Sequence, residues 1–105
     1  MSCVKVTHYR LSPKAYADLD DIWRYTAERW SLIQADRYID ELVKIFETLV
    51  QMPFLARELS EFDPPVRIHV FGTHLIIYLI NDDHVAVIRL LGAKLDWRKM
   101  LNALE

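Results

Sequence analysis

Apolar positions change their spacing several times along the chain, and each change marks an element. In "VKVTHYRL" (4–11), Val4, Val6 and His8 alternate with Lys5, Thr7 and Tyr9, which predicts a short strand. From residue 13 the spacing lengthens. Ala15, Leu19, Ile22, Trp23, Thr26 and Trp30 follow a helical period, with Asp18, Asp20, Asp21, Arg24, Glu28 and Arg29 mostly on the other side. Ser12 is placed to accept orphan amide bonds as N-cap. Pro13 sits at the first helical position, where its missing N–H costs nothing, so the spacing predicts a helix over 13–29. Ser31 with Gln34 three residues on has the form of a capping box and starts a second helix. Ala35, Tyr38, Ile39, Leu42, Ile45, Phe46 and Leu49 form its core face, widened on one flank by Leu32, Val43 and Val50. No glycine separates the two helices, so they form a tight antiparallel αα-hairpin. The apolar face of the second helix is wider than the stripe of roughly 100° that packing on one sheet requires. Two readings follow: a deeply buried helix, or a groove that receives a partner.

Pro53 ends the helical pattern, and "MPFLARELSEFDPPV" (52–66) reads as a long loop anchored by Phe54, Leu55, Leu59 and Phe62. Three strands follow in quick succession. "VRIHVF" (66–71) alternates, and Gly72-Thr73 makes a two-residue turn. "HLIIYLI" (74–80) is apolar on both faces, as a central strand is. "HVAVIRLL" (84–91) returns after a turn and stops at Gly92. Asp96 caps a last helix with Trp97, Met100, Leu101 and Leu104 on one face. The order β-α-α-β-β-β-α predicts one α+β domain over residues 1–105, an antiparallel sheet with the N-terminal αα-hairpin packed on one face.

Composition adds mainly exclusions. Apolar residues make up 52% of the 105 and charged residues 27%, a soluble globular balance. No apolar run approaches the roughly 18 residues of a membrane span, and "MSCVKVTHYR" lacks the apolar centre of a signal peptide, so a cytoplasmic location is expected. The single Cys3 cannot form an internal disulfide and reads as a small buried hydrophobe beside the first strand. Thirteen basic against fifteen acidic residues give a net charge of -2. A chain that binds nucleic acid directly usually carries a basic stripe; here only residues 89–99 are locally basic, through Arg89, Lys94, Arg98 and Lys99.

Candidate chemistry is sparse. There is no GxSxG elbow, and Gly72 and Gly92 are too scattered to cradle a phosphate. His8, His69, His74 and His84 fall in different elements without metal-ligand spacing, so no metal site is expected. Asp18, Asp20 and Asp21 face different ways around a helix and read as a solvated face. One constellation stands out. A two-residue turn at 72–73 sets Arg67 opposite Tyr78 on one face. A two-residue Asp82-Asp83 loop, the favoured form, brings Arg89 to that face opposite Ile76; a three-residue loop turns it away. Two guanidiniums beside a phenol either hold phosphate or carboxylate or pair with local acids.

The run "SPKAYADLDDIWRYTAERWS", a second helix ending at "MPFLAR", and "VRIHVFGTHLIIYLINDDHVAVIRLLGAKLDW" together resemble the ParE toxins of bacterial type II toxin–antitoxin modules, within the RelE/ParE superfamily. The resemblance covers roughly residues 7–101 and lies in the order and spacing of these pieces. It implies a small sheet carrying a helical hairpin, no cofactor, and a hetero-oligomer with a neutralising, ParD-like antitoxin. It also implies poisoning of DNA gyrase through protein–protein binding, without enzymatic activity, membrane association or direct specific binding of nucleic acid. RelE relatives instead cleave mRNA on the ribosome, and that alternative would use Arg67, Tyr78 and Arg89 to position phosphate. Two features favour the gyrase reading. The chain is slightly acidic, and Gly92 stands where the superfamily often carries a histidine, which leaves RNA cleavage without an evident general acid. Gly92 also departs from many ParE sequences. The resemblance makes Arg89, Lys94, Trp97 and Arg98 the gyrase-contact candidates, with Arg67 and Tyr78 as the adjoining sheet face; the favoured reading of Trp97 by itself is a core aromatic that locks the last helix. An amphipathic antitoxin segment is expected along the hairpin, against Trp23, Trp30, Leu32, Ile39, Val43 and Phe46.

Overall fold

The computed structural model describes residues 5–94 and 96–102. The readings of Cys3, of Val4 at the start of the first strand and of Leu104 in the last helix lie outside the described residues. After a short first strand, β1 (His8–Leu11), come the helices α1 (Pro13–Arg29) and α2 (Leu32–Gln51). Both helices start where their caps predict. Ser12 Oγ accepts from the Ala15 amide and Ser31 Oγ from the Gln34 amide, each at 3.0 Å. Each side chain thereby satisfies an amide that has no intrahelical partner. Only Trp30 and Ser31 separate the helices, which makes the expected tight hairpin.

Four further strands and a short helix complete the chain: β2 (Glu58–Leu59), β3 (Val66–Phe71), β4 (His74–Asn81), β5 (His84–Gly92) and α3 (Trp97–Asn102). They form a five-stranded sheet in the order β1-β5-β4-β3-β2. Two expectations are corrected here. The 52–66 segment is not wholly loop, because Glu58 and Leu59 pair with Arg67 and Val66 as β2. The sheet is mixed rather than antiparallel, because β1 runs parallel to β5 with His8 opposite His84. The physical reason is the open edge of the β3-β4-β5 meander. The outer edge of β5 presents unpaired backbone groups, and β1 occupies it before the chain turns away into α1. Ser12 continues that pairing, its amide donating to Val87 O at 2.9 Å and its hydroxyl to Ile88 O at 2.7 Å.

Both faces of the sheet are covered. On one side Ala15 and Ile22 of α1 and Leu42, Phe46 and Leu49 of α2 pack on Ile76, Tyr78, Val85, Val87 and Leu90. On the other, Phe62 and Leu101 close over Val66, Leu75, Ile77 and Leu91, with Trp97 and Met100 packed against them. Strand β4 therefore buries both faces, as its unbroken apolar run predicts. The hairpin supplies one lid and α3 with the loop before β3 supplies the other.

Register decides where the candidate residues go. β3 and β4 pair as expected, Arg67 opposite Tyr78 and Phe71 opposite His74. β4 and β5 also begin with the two-residue Asp82-Asp83 loop, from Asn81 opposite His84 to Tyr78 opposite Val87. Ile88 is then an extra residue, so that Arg89 pairs with Ile77 and not with Ile76. This bulge overturns the expected placement of Arg89, since one inserted residue shifts every later side chain of the strand.

Candidate functional site

Tyr78, Arg67 and Arg89 do not form an open anion-binding face. Tyr78 has no exposed surface, because its ring lies in the core under the hairpin. Its hydroxyl donates to Pro53 O at 3.0 Å and accepts from the Ala56 amide at 3.3 Å, and burial raises its pKa. Arg67 donates to Ala56 O at 2.6 Å, lies 3.8 Å from a Glu58 carboxylate oxygen and sits over the Phe54 ring. Both side chains fasten the 53–58 segment to the sheet by meeting its otherwise unpaired backbone groups. The readings of Tyr78 as a contact residue and of Arg67 with Tyr78 as a free face are corrected accordingly.

Arg89 is engaged elsewhere. Its Nε and Nη2 donate to the two oxygens of Asp18 at 2.8 and 3.0 Å, a bidentate pair in which both side chains are largely buried. Asp18 Oδ2 also accepts the Leu90 amide at 2.9 Å. This carboxylate thus covers the β5 edge where β1 has ended, and its hydrogen bond is the first cause of the raised Arg89 pKa. Asp18 is therefore not part of a solvated acidic face.

The remaining C-terminal candidates are more open. Lys94 is exposed after β5. Trp97 is half-buried, with its ring 6.2 Å from that of Phe62, and the exposed Arg98 guanidinium stacks 4.5 Å from the Trp97 ring and pairs with Glu61. The core reading of Trp97 holds for one side of its ring, and Arg98 covers another. A groove beside α3 is lined by Phe62, Pro64, Val66, Leu79, Ile88 and Leu101.

On the hairpin, Trp30 is 75% exposed and Leu32 63%. Trp23 is half-buried with its indole N–H bonded to Asp36 at 2.8 Å, Ile39 and Val43 are half-buried, and Phe46 is wholly buried. Phe46 is thus a core residue, which corrects its place among the contact candidates. Ile33, 73% exposed, and Tyr25, 58% exposed, extend the apolar surface at the hairpin turn. Neither follows from the core period, because both lie off it in their helices. That off-period placement was itself the available signal, because an apolar residue away from the core face has no burial to explain it.

The family described as "ParE toxin of type II toxin-antitoxin system, parDE" matches residues 9–97. The chain is 34% identical over 93 residues to the toxin ParE1 of Caulobacter vibrioides, covering 89% of this chain and 96% of that one. It is 32% identical over 91 residues to the toxin ParE1 of Mycobacterium tuberculosis, covering 86% and 93%. Among solved structures, one described as "Chromosomal ParDE TA system from P. aeruginosa" superposes with a TM-score of 0.72, covering 87% of this chain and 98% of that one at 16% identity, which shows a shared fold.

Proposed function

The chain belongs to the ParE toxin family of type II toxin–antitoxin systems, and from that membership we propose that it inhibits DNA gyrase by protein–protein binding and is neutralised by a ParD-like antitoxin. The observation that carries the antitoxin half is the apolar surface of Tyr25, Trp30, Leu32 and Ile33 at the hairpin turn. Four large apolar side chains exposed within residues 25–33 are costly to leave in water, and an amphipathic segment that folds as it binds removes that cost. The gyrase half is supported by family membership and by the exposed basic segment after β5. There Arg98 stacks on Trp97, two residue types that anchor protein interfaces, and the exposed Lys94 adds positive charge.

The ribonuclease alternative draws no support from the sheet, where Tyr78 is enclosed and both arginines are bound to protein acceptors. α3 forms part of the second core, so substitution tests the target surface better than truncation. The double variant Lys94→Glu/Arg98→Glu is expected to fold and to lose inhibition of gyrase supercoiling at toxin concentrations where the parent chain stops it. Unimpaired inhibition by that variant removes the segment from the target surface. Transcript cleavage on induction, with supercoiling unchanged, overturns the gyrase reading as a whole.

A further inference from the structure

We propose that His8, Asp83 and His84 form a site for one zinc ion, which fastens the first strand to the β4–β5 turn. His8 and His84 are 76 residues apart, and the parallel pairing of β1 with β5 makes them direct neighbours. Their rings stack with centroids 5.3 Å apart and planes 25° from parallel. Asp83 precedes His84, and its Oδ1 lies 3.2 Å from His84 Nδ1. One donor atom from each of the three residues falls within 4.8 Å of the other two. Ligands on one tetrahedral zinc, with bonds of about 2.0–2.1 Å, sit roughly 3.3 Å apart. The His84–Asp83 separation of 3.2 Å is close to that value, and the site requires the His8 ring to move in toward the other two from within 4.8 Å.

The surroundings prepare the donors. Thr7 Oγ1 donates its single proton to Asp83 O at 3.2 Å and lies 2.8 Å from His8 Nδ1. The hydroxyl therefore accepts from His8 Nδ1–H, which leaves the lone pair on Nε2 free to bind a metal. This is the outer hydrogen bond that metal-binding histidines use to set tautomer and ring orientation. The Thr7 amide also donates to Asp83 O at 2.8 Å, which holds the turn beside β1. Two imidazoles and one carboxylate suit zinc better than magnesium or calcium, and water completes the tetrahedron. The site lies at the start of β5, the opposite end of the strand from Lys94 and α3, so it does not depend on the reading of the target surface.

The test uses the untagged full chain and zinc alone. Calorimetry is expected to give one ion per chain with micromolar affinity, together with a higher Tm. His8→Gln and His84→Gln are each expected to weaken binding about 10-fold or more, while His69→Gln leaves it unchanged. Imidazole nitrogen resonances of the parent chain supply a readout that needs no variant: zinc should move those of His8 and His84 and spare those of His69 and His74. Absence of saturable binding, unmoved His8 and His84 resonances, or affinity indifferent to the two substitutions overturns the site.

Discussion

At the scale of single residues, polar groups that read in the sequence as an anion site or a solvated face hold the fold together. Asp18 is the clearest case, since its carboxylate answers both Arg89 and the Leu90 amide. Asp18→Ala leaves a largely buried guanidinium and a strand amide without their partner. Unfolding stability is expected to fall by about 2–4 kcal/mol, read from the urea midpoint. Pairing the changes as Asp18→Leu/Arg89→Met should cost less than Asp18→Ala alone, because no charge is then stranded. His74 carries a pH dependence. Burial depresses its imidazole below the ordinary value of 6.5, and Tyr38 Oη lies 2.7 Å from its Nδ1. As pH falls, the unfolded chain takes up this proton first. The stability tied to neutral His74 is therefore whole above pH 6.5 and is lost as pH falls through the lower folded-state value. His74→Gln should flatten the decline in Tm across that interval, and an equally steep decline would remove His74 as its source.

At the scale of elements, the two long helices were legible because their signals are local. A period, a cap and a proline lie within one stretch of chain, and α1 runs over the predicted Pro13–Arg29. The β3–β4 pairing was legible for the same reason, through Gly72. Its φ of +57° is the left-handed conformation that the two-residue turn demands. A Cβ built on Gly72 would also meet the Tyr38 hydroxyl at 2.9 Å. Gly72→Ala is thus expected to lower stability by about 1–3 kcal/mol in a chemical melt, combining backbone strain with displacement of Tyr38. β2, the parallel placement of β1 and the bulge at Ile88 were not legible. Each is a choice of neighbour made by segments distant in sequence, and no local propensity records it.

At the scale of the whole molecule, the sheet has two covered faces and the hairpin carries an apolar end into solvent. Trp30 and Ile33, 75% and 73% exposed, contribute little to the fold. Trp30→Asp/Ile33→Asp is therefore expected to change unfolding stability by no more than about 0.5 kcal/mol. The same pair should weaken binding of the antitoxin by about 2 kcal/mol or more, measured by titration calorimetry. Unchanged affinity would move the antitoxin contact elsewhere on the hairpin. What the sequence alone determined is what short-range physics decides: helix bounds from caps and periodicity, the α+β class, the tight turns, and the family from the order of its segments. Tertiary structure alone decided which residues remain available. One extra residue in β5 moved Arg89 out of its expected register, Asp18 took its guanidinium, the loop after α2 enclosed Tyr78, and parallel pairing joined His8 to His84. Those outcomes depend on contacts between groups tens of residues apart, whose energies come from burial and hydrogen-bond satisfaction once the layers have packed.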